Sequence, residues 1–144
     1  MLIFLINIAN LIKKENLSPA EKIFIKTPFS IYFGWITIAT IANATVFLVS
    51  LDWNGFGISE QSWTVIILIV GMIIAGFTAL NNRDAAYGLV AIWAYAGILN
   101  KHLSADGFSF QYPPVVYTII LCILMFIAVL LYIILKPVEK SKTV

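Results

Sequence analysis

Four apolar segments of this chain are each long enough to cross a lipid bilayer, and no other feature limits the fold as strongly. They cover residues 28–51, 62–80, 85–103 and 115–135, and a spanning helix needs about 20 predominantly apolar residues. Backbone polar groups in lipid must be satisfied within a helix or a closed barrel, and these segments lack the alternation typical of barrel strands. The sequence therefore predicts an all-α, polytopic membrane helical bundle that forms a single domain over residues 1–144.

The composition excludes a soluble globule. Hydrophobic residues make up 61% of the chain and charged residues 11%, whereas soluble domains are about 45–50% apolar and about 25% charged. The net charge of +2 is too small to indicate a nucleic-acid partner. The expected partners are the lipid bilayer and either further copies of the chain or another membrane subunit.

Residues 1–12 are apolar but too short to span. A helix of this length reaches roughly 18 Å, and the hydrocarbon core is about 30 Å thick. The segment is expected to be either the cytoplasmic end of a helix or an interfacial anchor. An amphipathic linker follows up to residue 27, and its Ser18-Pro19-Ala20-Glu21 has the spacing of a capping box.

The connections between the predicted helices carry turn and capping residues. Pro28 is expected to open the first spanning helix and Pro113-Pro114 the fourth, since proline is tolerated in the first helical turn. Residues 52–57 form a turn-rich loop. Residues 81–84, Asn-Asn-Arg-Asp, indicate a tight hairpin that holds a C-cap and an N-cap side by side.

The positive residues predict the orientation. In a four-span topology the segment 13–27, the turn 81–84 and the tail 136–144 lie on one side, and they hold eight of the nine Lys and Arg residues. Only Lys101 lies on the other side. The positive-inside rule places the first side, with the C-terminus, in the cytoplasm. The expected location is a bacterial inner membrane.

No enzyme motif is present in the sequence. There is no metalloprotease, nucleophile-elbow or phosphate-loop pattern, and Cys122 is the single cysteine. The spans carry no charged residue at mid-depth, which argues against an ion pump. The chain is predicted to be neither an enzyme nor a metal protein, and the lone His102 is expected to be solvated rather than to bind haem.

Helical spacing predicts which faces of the spans point inward. In the first span, one broad and partly polar face is expected to face the bundle; it contains Tyr32, Ile36, Ala39, Thr40, Asn43, Phe47 and Ser50. Asn43 could form an interhelical hydrogen bond or contact a ligand. In the third span, Tyr87 and Tyr95 share a face and could line a cavity or pack with satisfied hydroxyls. Trp93 points the other way, and the fourth span is expected to face lipid.

Residues 28–43, PFSIYFGWITIATIAN, resemble the last helix of the TspO/translocator family, the tryptophan-rich sensory proteins. Trp35, Ala39, Thr40 and Asn43 match that helix's W-x-x-x-A-T-x-x-N pattern. The full sequence pattern of residues 28–43 is closer still to that of a longer TspO-related branch of the family. The proline lies seven residues before Trp35 rather than about four, and the match covers roughly a tenth of the chain.

The resemblance implies a binding or sensory membrane protein. Its ligand would be a porphyrin, haem or sterol in a cavity between helices, and no other cofactor is expected. Trp35 and Asn43 are the positions that the resemblance carries over, and Tyr32, Tyr87 and Tyr95 would complete the lining. Two alternatives stay open: a non-catalytic structural or accessory subunit of a membrane complex, and a small-solute transporter.

Overall fold

A computed structural model describes residues 1–15, 17–51 and 55–136. It contains five α-helices longer than one turn: α1 (Leu2–Lys14), α2 (Thr27–Ser50), α3 (Glu60–Asn82), α4 (Ala85–Leu103) and α5 (Pro113–Leu135). The described residues form no strand, so the predicted all-α class is confirmed. The predicted tail beyond residue 136 and part of the predicted loop 52–57 lie outside the described residues.

Three helices in the described part of the chain are long and apolar enough to cross a membrane. They are α2 with the helical turns before it (Pro19–Ser50), α3 and α5. The third predicted span, α4, has 19 residues and ends in Lys101, His102 and Leu103; it is not among the three. The bounds of the other three predicted spans differ from those of the observed helices by two residues or fewer at every end.

Helix α4 lies at the centre of the bundle and packs against α2, α3 and α5. It is parallel to α2, since Ser30 Oγ donates to Asp84 Oδ2 near the start of both helices. It is antiparallel to α3 and α5, because the hydroxyl of Tyr95, on the second half of α4, reaches the carbonyl oxygen of Leu68 on the first half of α3. The ring of the same tyrosine packs on Phe126 of α5, with the centroids 5.1 Å apart.

Helix α5 contributes the longest buried stripe of the core. Its buried residues recur at helical spacing and are Val115, Val116, Ile119, Cys122, Phe126, Leu130 and Ile133. The expectation that this span faces lipid is therefore wrong for one of its faces. Leu, Ile and Val suit lipid and protein interiors equally, so composition alone could not distinguish the two environments.

Helix α1 packs against α2 and α3 rather than standing apart. Leu5 is buried in the core. At the other end of the helix, Lys13 Nζ donates to the carbonyl oxygen of Asn81 at 2.6 Å. At about 20 Å, the 13-residue helix covers part of the bundle's length and ends beside the C-terminus of α3.

Local signals fix the helix ends. The predicted capping box is present: the Ser18 backbone N–H donates to Glu21 Oε2 at 2.8 Å, and the Glu21 N–H donates to Ser18 Oγ at 3.3 Å. Asp84 caps α4 by accepting from the Tyr87 N–H at 3.1 Å. Arg83 ends α3 in the left-handed region, with φ 46°. These outcomes confirm the caps predicted at 18–21 and 81–84.

Pro28 lies in the first turn of α2, as expected, but α2 continues a helical path that begins earlier in the chain. The chain is already helical from Pro19, and a π-helical stretch, Lys22–Lys26, leads directly into α2. There the Thr27 hydroxyl donates to the Lys22 carbonyl oxygen five residues earlier, at 2.9 Å. Proline lacks an N–H and its ring clashes with the carbonyl four residues before it, and the wider π turn accommodates both defects.

Candidate functional site

The face of α2 that packs into the bundle is not the face that the sequence predicted. The buried residues are Ser30, Phe33, Gly34 and Thr37, whereas most of the predicted inward face, Asn43 included, is exposed. Two local effects explain the rotation. The Thr40 hydroxyl donates to the Ile36 carbonyl oxygen of its own helix at 2.6 Å and needs no other partner. Gly34 allows close approach, since a Cβ there would lie 3.1 Å from the Tyr87 carbonyl oxygen.

This rotation opens a groove of about 540 Å³ between α2 and α4. Its volume lies within the range of small-molecule sites, about 300–1,000 Å³. Helix α2 lines it with Trp35, Ile38, Ala39, Ala42 and Asn43, and α4 with Trp93, Ala94, Gly97, Ile98 and Lys101. We call this space the α2/α4 groove.

The two walls of the groove repeat one pattern. Each presents a tryptophan, then a small residue four positions on, then a polar residue after four more: Trp35, Ala39 and Asn43 on α2, and Trp93, Gly97 and Lys101 on α4. Residues at this spacing share one helix face. Because the helices are parallel, both tryptophans lie toward one end of the groove and both polar groups toward the other.

The polar end of the groove holds one cation and one amide. Lys101 is exposed, and its Nζ lies 6.0 Å from the centroid of the Phe108 ring. Among the described residues no carboxylate forms a salt bridge with Lys101, and no hydrogen bond satisfies the Asn43 amide. An amide in hydrocarbon without a partner costs several kcal/mol. The groove therefore combines an aromatic, apolar part with polar donors that a ligand could satisfy.

The five predicted site residues fall in three places. Trp35 and Asn43 line the α2/α4 groove. Tyr87 and Tyr95 are buried in the core, 1% and 2% exposed, and Tyr95 donates to the Leu68 carbonyl oxygen at 2.6 Å. Tyr32 is exposed, and its hydroxyl lies 3.8 Å from the sulfur of Met1. The structure thus brings together the two positions that carry the resemblance and separates the three added tyrosines from them.

Trp93, Gly97 and Lys101 line the groove although the sequence did not predict them as site residues. Trp93 was expected to face away from the tyrosines of its helix, and it does, being 75% exposed. That face turns out to be the second wall of the groove. The repeated spacing of tryptophan, small residue and polar residue on both helices was the signal that could have paired them.

His102 is buried rather than solvated, in contrast to the expectation. Its Nδ1 lies 2.9 Å from the Ile98 carbonyl oxygen, and its ring packs on Phe108, with the centroids 4.8 Å apart. The segment after α4 folds back over the helix end, since the Phe108 N–H donates to the Lys101 carbonyl oxygen at 3.0 Å. The sequence composition could not predict that this segment folds back and covers His102.

Comparison with known proteins extends the resemblance well beyond residues 28–43. A family model described as TSPO-like protein matches residues 1–133. The match includes α1 through α4 and nearly all of α5. No curated protein and no solved structure gives a significant match.

Proposed function

This chain belongs to the TSPO-like protein family, and from that premise we propose that it is an integral membrane protein that binds a hydrophobic ligand in the α2/α4 groove. The ligand class is a porphyrin, haem or sterol. Within that class we favour a ligand that carries an anionic group, as porphyrins and haem do.

One observation carries the proposal: the groove places Trp35 and Trp93 at one end and Asn43 and Lys101 at the other. Aromatic rings stack on flat apolar ligands. The ammonium group of Lys101 favours a carboxylate, because charge-assisted hydrogen bonds are the strong ones. A flat ring system with a carboxylate at one edge would satisfy both ends of the groove.

We also propose that α4 is a fourth membrane crossing. It runs antiparallel between α3 and α5, which are parallel to each other and apolar enough to span. Because α3 and α5 are parallel, the chain must cross back between the end of α3 and the start of α5. The 19 residues of α4 are about 28 Å long at 1.5 Å per residue, which is close to the thickness of the hydrocarbon core. The end of the bundle that holds Lys13, Asn81 and Arg83 (the basic end) would then face the cytoplasm.

The proposal is tested by titrating the purified protein with protoporphyrin IX and following the porphyrin absorbance band. We expect saturable binding. Lys101→Gln should weaken it by about tenfold or more, since hydrogen bonds to charged groups contribute about 1.5–3 kcal/mol. Asn43→Ala should weaken it several-fold through the lost amide contact.

Two matched substitutions outside the groove serve as controls. Asn100→Ala removes an exposed amide of α4, and Lys14→Gln removes an exposed lysine of α1; neither should change the porphyrin affinity. Uncharged cholesterol is the comparison ligand. Tighter binding of cholesterol, unaffected by Lys101→Gln, would contradict an anionic ligand, and a lack of saturable binding of either compound would contradict the groove as a site.

A further inference from the structure

A second cavity, of about 450 Å³, lies at the basic end, on the opposite side of the bundle from Lys101. The C-terminal ends of α1, α3 and α5 meet the linker between α1 and α2 there. Its lining residues are Ile12, Lys13, Glu15, Leu17, Lys22, Lys26, Asn81, Asn82, Arg83 and Ile133. We call it the basic pocket.

The charges of the basic pocket are not balanced. Four cationic side chains line it against the single carboxylate of Glu15. In the described part of the chain, the side chains of Lys22 and Lys26 make neither a hydrogen bond nor a salt bridge. Like charges held around one cavity experience mutual repulsion. An anion in the pocket would relieve it.

Helix capping accounts for only two of the four cations. Lys13 donates to the Asn81 carbonyl oxygen at 2.6 Å, and the Arg83 guanidinium donates to the Ile133 carbonyl oxygen at 3.3 Å. Both are cations at helix C-termini, where the partial negative charge favours them. Lys22 and Lys26 belong instead to the π-helical stretch of the linker, and among the residues that the structure describes no carbonyl oxygen at a helix end binds either of them.

Arg83 adds an unusual backbone feature to the pocket. It occupies the left-handed region, with φ 46° and ψ 53°, at a helix end where glycine or asparagine is the usual residue. A side chain in this conformation costs stability relative to glycine. The arginine places a guanidinium between the end of α5 and the pocket, which glycine could not do.

We propose that the basic pocket binds a phosphate group, either in the headgroup of an anionic phospholipid or in a free phosphate compound. Lysine and arginine are the side chains that recognise phosphate. Ile12, Leu17 and Ile133 supply an apolar border that suits the acyl chains of a lipid. Basic pockets between helices at a membrane surface bind such headgroups. This site is independent of the α2/α4 groove and of the ligand proposed there.

The test is native mass spectrometry of the detergent-purified protein with added phosphatidylglycerol, and with zwitterionic phosphatidylcholine for comparison. We expect the wild type to retain phosphatidylglycerol preferentially. The double variant Lys22→Gln, Lys26→Gln should lose roughly tenfold or more of that affinity, since each lysine near an anionic lipid contributes about 1 kcal/mol. Lys22→Arg, Lys26→Arg should retain it.

The matched control is the double variant Lys14→Gln, Lys136→Gln. It removes two exposed lysines from the same end of the molecule, and neither residue lines the pocket. Its phosphatidylglycerol affinity should equal that of the wild type. An equal loss in both double variants would show general surface attraction and overturn the proposal, as would no loss in the pocket variant.

Competition with glycerol 3-phosphate distinguishes the two sources of the phosphate. Displacement of the lipid at millimolar concentration indicates that a soluble phosphate compound is bound, and retention of the lipid indicates a headgroup site; both outcomes require the phosphate chemistry proposed here. Unchanged helicity by circular dichroism checks that the pocket variant is folded. Failure of porphyrin binding would not affect this result, because the two cavities lie at opposite ends.

Discussion

Gly71 allows a close approach between α3 and α4. A Cβ at this position would lie 2.8 Å from the Tyr95 hydroxyl oxygen, which donates to the Leu68 carbonyl oxygen at 2.6 Å. Gly76 lies on the same helix and is also buried, but a Cβ there would meet no atom within 4 Å. The two glycines therefore separate the effect of contact from the effect of helix propensity.

We predict that Gly71→Ala destabilises the protein by about 1–3 kcal/mol, because overpacking displaces the tyrosine from its hydrogen bond. Gly76→Ala should be neutral or stabilising by up to about 1 kcal/mol, since alanine favours the helix. The midpoint of thermal unfolding in detergent measures both. Equal midpoints for the two variants would contradict the packing described for Tyr95.

At the level of single residues, the sequence predicted what depends on near neighbours. The capping box at Ser18 and the N-cap at Asp84 were correct because their partners lie three residues away. Tyr87 and Tyr95 were correctly placed on one face, but whether that face met a cavity or the core depended on α5. The role of Trp93 depended on the rotation of a different helix.

At the level of helices, α1 is held by few contacts, and one of them is a hydrogen bond from a charged side chain. Lys13 Nζ binds the Asn81 carbonyl oxygen, where α3 leaves its last carbonyls without partners in the helix. We predict that Lys13→Gln loosens α1, so that the amide hydrogens of residues 2–14 exchange faster with solvent. Hydrogen–deuterium exchange of α1 peptides measures this.

Lys14→Gln is the control for α1, because Lys14 has the same charge, is exposed and makes no such bond. Its exchange should match that of the wild type, and the exchange of α2 should be unchanged in both variants. If the two variants gave the same exchange in α1, the bond to Asn81 would not be what holds the helix.

The extent of each helix followed from the sequence, but its rotation did not. Apolar length and turn residues set the ends of α3, α4 and α5. The rotation of α2 could not be predicted, because its threonines satisfy themselves within the helix and so give no reliable signal of an inward face. The buried stripe of α5 could not be predicted either, because the residues of that helix are apolar on nearly every face.

At the level of the whole molecule, the number of crossings decides where each loop lies. With α4 as a crossing, Ala20, before α2, and Ala105, after α4, lie on opposite sides of the membrane. Without it, they lie on the same side. We predict opposite sides, with Ala105 on the side of the membrane away from the cytoplasm.

Cysteine labelling of intact cells tests this. The native Cys122 is first replaced by Ala, and Ala20→Cys and Ala105→Cys are then made separately; both positions are exposed in the structure. A membrane-impermeant maleimide should label the variant at 105 in intact cells and the variant at 20 only after permeabilisation. Labelling of both in intact cells, or of neither, would contradict four crossings.

The all-helical membrane class and the family followed from the sequence, because apolar length and the residues of 28–43 carry them. The architecture of the groove did not. It requires α2 and α4 to be parallel neighbours, and that arrangement results from contacts such as Ser30 with Asp84, which are 54 positions apart in the chain.

A shared ligand site between α2 and α4 is tested most directly by fluorescence quenching with protoporphyrin IX. The proteins to compare each retain a single tryptophan, at 35, at 63 or at 93, with all other tryptophans replaced by phenylalanine. Because Trp35 and Trp93 line one groove and Trp63 does not, quenching at 35 and 93 should saturate at the same porphyrin concentration and exceed that at 63. Different midpoints at 35 and 93, or equal quenching at all three positions, would contradict a shared ligand site between α2 and α4.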